Sequence, residues 1–87
     1  MNGAATQIAS REYVDDFSRL PSQAQVLVQR KIDVMGRRLA AFPHYRMTGS
    51  DKYRLRAGDY RVIYRFDLVQ GAIYLPAIGH RREIYRD

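Results

Sequence analysis

Lys52-Tyr-Arg-Leu-Arg-Ala-Gly-Asp-Tyr-Arg-Val-Ile-Tyr-Arg-Phe66 decides how this chain folds. Before the Gly-Asp pair, Tyr53, Leu55 and Ala57 alternate with Lys52, Arg54 and Arg56. After it, Tyr60, Val62, Tyr64, Phe66 and Leu68 alternate with Arg61, Ile63, Arg65 and Asp67. A period of two marks a strand buried on one face, and Gly-Asp between two such runs marks a two-residue hairpin turn. With Gly58 and Asp59 in the turn, Ala57 pairs with Tyr60, Arg56 with Arg61, Leu55 with Val62, Arg54 with Ile63, and Lys52 with Arg65. A slip of one residue would exchange the two faces. In this register the large apolar residues other than Ile63 share one face, and Lys52, Arg54, Arg56, Arg61 and Arg65 share the other.

Upstream, Thr6 to Ala9 reads as a short strand. Ser10 is a helix N-cap, and Glu12, Asp15 and Asp16 suit the positive end of a helix dipole. Tyr13, Phe17 and Leu20 recur at helical spacing with Val14 beside them, until Pro21 interrupts the run. Ser22 is placed to cap a second helix, whose apolar face is Ala24, Val28, Ile32, Met35 and Leu39, flanked by Leu27 and Val34; Pro43 closes it. His44 to Asp51 reads as a loop with Gly49 and Ser50 as turn residues and Met47 as its anchor. Downstream, Gln70-Gly71 turns the chain and Ala72 to Ile78 forms another strand, in which Pro76 implies an edge or a bulge. Glu83 to Arg86 extends or follows that strand. The expected fold is α+β, in β-α-α-β-β-β order, with a helix hairpin on one face of a small twisted antiparallel sheet, as one domain over residues 1–87.

The 87 residues carry 15 Lys+Arg against 9 Asp+Glu, a formal charge of +6. Only Lys31 and Lys52 are lysines, and arginine suits bidentate phosphate contact better than lysine does. Such a balance points to nucleic acid or an acidic protein partner. With no cysteine and two histidines, neither disulfides nor a zinc site is expected, and no cofactor motif occurs. The longest apolar run, residues 72–78, contains Pro76 and is too short to span a membrane. Residues 1–10 lack the features of a secretory signal, so a cytoplasmic location is expected. A core this small is marginal, and a partner that binds only the folded state would stabilise it.

Like charges opposite one another in a ladder are destabilising. An anion lying over the basic face reverses that sign; the competing reading is a solvated face with the arginines fanned out into salt. A second basic element, His80-Arg81-Arg82-Glu83-Ile84-Tyr85-Arg86, follows the last strand. Arg81 and Arg82 add phosphate-binding capacity, and Tyr85 is either a platform for a splayed base or a packing residue.

The stretch Lys52–Tyr64 closely resembles the central hairpin of RelE/ParE-family toxins, and Ile78–Arg86 resembles the C-terminal motif of the RelE branch. The helix hairpin fits the family in layout more than in letters. The resemblance implies the toxin of a type II toxin–antitoxin system: a ribosome-dependent endoribonuclease that cleaves mRNA in the ribosomal A site. Its catalytic residues would be Lys52, Arg54, Arg61, Arg81 and Tyr85, with Arg56, Arg65 and Arg82 on RNA phosphates. Arg61 and Arg81 would stabilise charge developing on the phosphate, and Tyr85 would stack on a base. Lys52 is the expected general base if neighbouring cations depress its pKa. Position 54, often lysine in this branch, is arginine here and cannot act as a base. His80 is the competing acid or base, or else a turn residue without chemistry; His44 is assigned no role. The expected partners are a cognate antitoxin, the ribosome and mRNA, with no sequence-specific DNA binding by the toxin alone, since no helix-turn-helix signal occurs.

Three alternatives stay open: a ParE-like toxin that acts on DNA gyrase, a non-catalytic basic module that binds nucleic acid without cutting it, and a degenerate toxin that retains only antitoxin binding.

Overall fold

A computed structural model describes residues 4–80. Its elements are β1 (Thr6–Ala9), α1 (Arg11–Ser18), α2 (Ser22–Arg37), β2 (Tyr45–Arg46), β3 (Tyr53–Ala57), β4 (Tyr60–Asp67) and β5 (Ala72–His80). The strands form one sheet in the order β1-β5-β4-β3-β2.

The β3–β4 hairpin has the register read from the sequence: Ala57 opposite Tyr60, Arg56 opposite Arg61, Leu55 opposite Val62, and Arg54 opposite Ile63. The ladder ends at Tyr53–Tyr64, so Lys52 and Arg65 lie one step beyond it. Gly58 has a φ of 61° and Asp59 has a negative one, which places the glycine at the first central position, as type II′ turns require. Gly71, with a φ of 62°, closes the expected turn into β5. Leu68 falls in that turn rather than in β4 and is exposed; the Asp67 carboxylate there accepts from the Val69 and Gln70 amides.

Pro76 marks a bulge, not an edge. The β4–β5 register shifts by one between Ile63 and Arg65, while β5 keeps a strand on each side. The shift lets Ile73, Leu75 and Ile78 all reach the core, although their spacing is uneven. Ser10 uses the same irregularity: its Oγ donates to the Pro76 carbonyl (2.9 Å) and its amide donates to Leu75 O (3.0 Å). The Ser10 hydroxyl also accepts from the Tyr13 amide at 3.0 Å and so caps α1 as expected.

The sheet is mixed rather than purely antiparallel. β1 runs parallel to β5, with Thr6 opposite Ala72 and Ala9 opposite Leu75. The direction follows from where β1 is needed: it fills the β5 edge left open by β4 and delivers Ser10 to the bulge, from which α1 starts. A second departure is β2, a two-residue strand inside the stretch expected to be loop; it pairs Tyr45 with Arg54 and Arg46 with Tyr53.

The helices meet at a tight junction. Pro21, not Ser22, occupies the N-cap position of α2 and makes no side-chain cap bond. The Gln25 amide group reaches back to the carbonyls of Phe17, Ser18 and Leu20 (3.1, 3.3 and 3.1 Å), satisfying acceptors that the end of α1 leaves open. α2 stops at Arg37, well before Pro43, yet Leu39 still packs into the core from the following turn. Tyr13, Val28, Ile32 and Met35 supply the helix side of that core; Leu55, Ala57, Val62, Tyr64, Ile73, Leu75 and Ile78 supply the sheet side. Burying each large side chain contributes roughly 1.5–3 kcal/mol. At the β1 edge, Asp33 Oδ1 accepts from Gln7 (2.8 Å) and Gln29 (2.9 Å), tying strand to helix. These bonds, with the Arg37 charge, hold the Asp33 carboxyl below its usual pKa.

Candidate nucleic-acid interface

The helices cover one face of the sheet. The other carries the basic side chains, because residues opposite one another in a ladder project to the same side. Arg56 and Arg61 are direct cross-strand partners, and Arg54 lies two residues along β3 on the same face. Arg56 is exposed, and Arg54 and Arg61 are half-buried. The three arginines line one groove of about 360 Å³ together with Phe42, Pro43 and Tyr45.

Lys52 and Arg65 stand at the open end of the hairpin. Lys52 is half-buried; Arg65 is exposed and lies 3.6 Å from the Asp51 carboxylate. An exposed pair of this kind is worth about 0–1 kcal/mol, little enough to yield to a phosphate. Arg81, Arg82 and Tyr85 lie outside the described residues.

The structure does not bring His80 to the arginine face. His80 ends β5 opposite Tyr60, and the two rings meet edge to face at 5.9 Å. Tyr60 packs against the core on the helix-facing side, so His80 shares that side. Among the described residues no three histidine or carboxylate groups gather in a way that would hold a metal ion.

The segment leading into β2 is fixed by His44, a residue assigned no role from its local pattern. Its Nε2 lies 2.8 Å from the Leu39 carbonyl and its Nδ1 2.6 Å from the Tyr64 hydroxyl. A carbonyl only accepts, so Nε2 carries the proton and Nδ1 accepts from Tyr64. The imidazole also stacks on Phe66 at 3.9 Å. Burial, with Tyr53 nearby, raises the Tyr64 pKa well above the usual phenol value and keeps the donated proton in place. Met47, the expected anchor, is only half-buried. No pattern in the sequence marks His44, because its partners lie five and twenty residues away and are joined to it only by the fold.

Tyr45 was missed for a related reason: a two-residue strand has no alternation to read. It sits opposite Arg54 and is 63% exposed. One residue apart, His44 turns under the sheet and Tyr45 turns out to the arginines.

A family model described as "ParE toxin of type II toxin-antitoxin system, parDE" matches residues 8–85. No curated protein matches the chain. Among solved structures, an archaeal RelE–RelB complex from Pyrococcus horikoshii is similar over 92% of this chain and 98% of that one, at 22% identity and a TM-score of 0.73. The RelBE2 toxin–antitoxin complex from Mycobacterium tuberculosis is similar over 92% and 94%, at 21% identity and a TM-score of 0.72. A mutant of the Escherichia coli toxin RelE in the free state is similar over 93% and 87%, at 14% identity and a TM-score of 0.75. At these identities the likeness establishes the shared fold.

Proposed function

Because the chain belongs to the ParE toxin family of type II toxin–antitoxin systems, we propose that it is a cytoplasmic toxin that cuts messenger RNA in the ribosomal A site. The observation that carries this reading is the Arg56–Arg61 cross-strand pair, with Arg54 beside it, on the face the helices leave uncovered. Folding stability gains nothing from opposing like charges; a phosphate lying over them makes each favourable.

The chemistry needs no bound metal. The 2′-hydroxyl of one nucleotide attacks the adjacent phosphorus as a base removes its proton. The bond from phosphorus to the 5′-oxygen breaks, and that oxygen takes up a proton. The products are a 2′,3′-cyclic phosphate and a 5′-hydroxyl. In this reading Arg61 and Arg54 stabilise the extra negative charge on the pentavalent phosphate, and Arg56 and Arg65 steer the strand. By the resemblance, Arg81 adds a second charge at the phosphate, Arg82 a further backbone contact, and Tyr85 holds a base. Of the two candidate bases, Lys52 immediately precedes β3 at the open end of the arginine-bearing hairpin, whereas His80 lies across the sheet beside Tyr60. Lys52 is therefore assigned the proton removal.

A cognate antitoxin belongs to this reading. The similar structures from Pyrococcus horikoshii and Mycobacterium tuberculosis are toxin–antitoxin complexes. An acidic segment that folds as it binds would neutralise the arginine face.

The test is a defined translation reaction with messenger 5′ ends mapped by primer extension. Cuts inside A-site codons are expected with the wild-type protein and absent from naked RNA. Arg61→Ala should slow cutting by about 10²–10³-fold, the usual cost of removing one transition-state charge contact; Arg81→Ala and Tyr85→Ala should also suppress it. An intact messenger with translation unaffected would overturn the proposal. The family match favours one second reading, action on DNA gyrase, and supercoiling assays with the same variants would then decide it.

A further inference from the structure

The geometry points to Tyr45 as a second base platform, holding an unpaired RNA base against the arginine groove from the β2 side. The inference rests on the reading that the arginine face takes RNA, and adds a residue that the family resemblance does not supply.

Five observations carry it. Tyr45 is a large aromatic residue left 63% exposed, so packing does not account for its ring. Among the described residues no ring stacks on it and no side chain hydrogen-bonds its hydroxyl. Its ladder partner is Arg54, and it lines the same groove as Arg54, Arg56 and Arg61. No carboxylate lines that groove, which favours an anionic strand over a protein segment of mixed charge. Finally, its backbone is held from the neighbouring residue: His44 is fixed to Leu39 and Tyr64 and stacked on Phe66. A ring carried on a fixed backbone loses less freedom on binding than one on a loose loop.

A cation beside an exposed aromatic face is the usual composition of a single-strand site: the arginine meets the phosphate and the ring takes the base without regard to its identity. Tyr45 would thus hold a nucleotide adjoining the one that is cut, affecting how firmly the messenger is seated more than how fast the bond breaks.

The probe is a short RNA oligonucleotide carrying 2-aminopurine, whose fluorescence is quenched by stacking, and 2′-O-methyl groups, which block cleavage. It is titrated with full-length protein at low salt. Wild-type protein should quench the probe. Tyr45→Ala should weaken binding by about five- to a hundredfold, the range for losing one stacked base, and lose quenching; Tyr45→Phe, which keeps the ring, should restore both. Val69→Ala, in the exposed turn after β4, serves as the neutral control. Equal quenching and affinity for wild type and Tyr45→Ala, or no binding by wild type, would overturn the inference and leave the groove to a protein contact. Because the probe is not cut, the two proposals fail separately. Tyr45-dependent quenching without ribosomal cleavage sinks only the nuclease, and cleavage with quenching independent of Tyr45 sinks only the platform.

Discussion

On the helix-facing side of the β3–β4 hairpin, Leu55, Ala57, Val62 and Tyr64 are at most 7% exposed, and the Tyr64 hydroxyl is bonded to His44. On the other side, one atom layer away, arginine stands opposite arginine. Both faces come from a single alternation along the same two strands, but the first is apolar and buried, while the second sets like charges opposite one another around the buried Ile63. Apolar burial and a satisfied hydroxyl lower the free energy of the isolated chain; paired cations raise it. On the proposed reading, that opposition is offset when the face meets an RNA strand.

Variants on either side test that division. The largest effect belongs to His44→Ala, which strips two partners from buried groups and removes a stacked ring. A loss of about 3 kcal/mol is expected in urea unfolding, from the cost of leaving donors and acceptors unmade and of losing an aromatic pair. A loss below about 1 kcal/mol would show that the aromatic cluster does not belong to the stabilising side. Tyr13→Phe sharpens the rule from within the core. The Tyr13 hydroxyl is buried with no hydrogen-bond partner among the described residues, so its removal should add about 1 kcal/mol at neutral pH. Burial pushes this phenol from its ordinary value of 10.0 up to about 12. With the folded value above the unfolded one, its contribution is whole below pH 10 and is lost as the pH climbs toward 12. Unfolding curves of Tyr13→Phe should therefore fall off less steeply in alkali than those of wild type. The smallest effect belongs to Arg56→Thr, which should stabilise the free protein by about 0.5 kcal/mol in low salt, a gain that fades as salt screens the pair. The same variant should lower the salt slope of RNA binding by about 1. Destabilisation by Arg56→Thr would place the arginine face among the structural elements.

The hairpin was legible because strict alternation and a Gly-Asp turn leave a single register that buries one face. Ser10 was legible because an N-cap is a local event, and the bulge at Pro76 because proline withdraws a donor wherever it stands. What escaped depends on contacts between distant residues. Nothing in Thr6–Ala9 states that it runs parallel to β5, nor does Tyr45-Arg46 announce a strand. His44 has local neighbours that say loop, while its hydrogen bonds are set by Leu39 and Tyr64 across the core. The basic site divides in the same way. Arg54, Arg56 and Arg61 were placed together by register alone, whereas Tyr45 joins them only through the pairing of β2, and His80 is removed from them by the count of residues along β5.

The parallel seat of β1 on β5 has a consequence for how the molecule is made. Thr6–Ala9 is synthesised early, and its partner follows 66 residues later, the same separation that divides Ser10 from Pro76. Until then the first strand has no strand to pair with and α1 has no bulge to start from. The helix hairpin can form as it emerges, but the sheet beneath it cannot be completed from the front. A chain broken off before Ala72 has lost the strand that joins its beginning to the basic hairpin. Interrupted synthesis should therefore yield an unassembled fragment, which proteolysis can clear, in place of a weaker version of the finished protein.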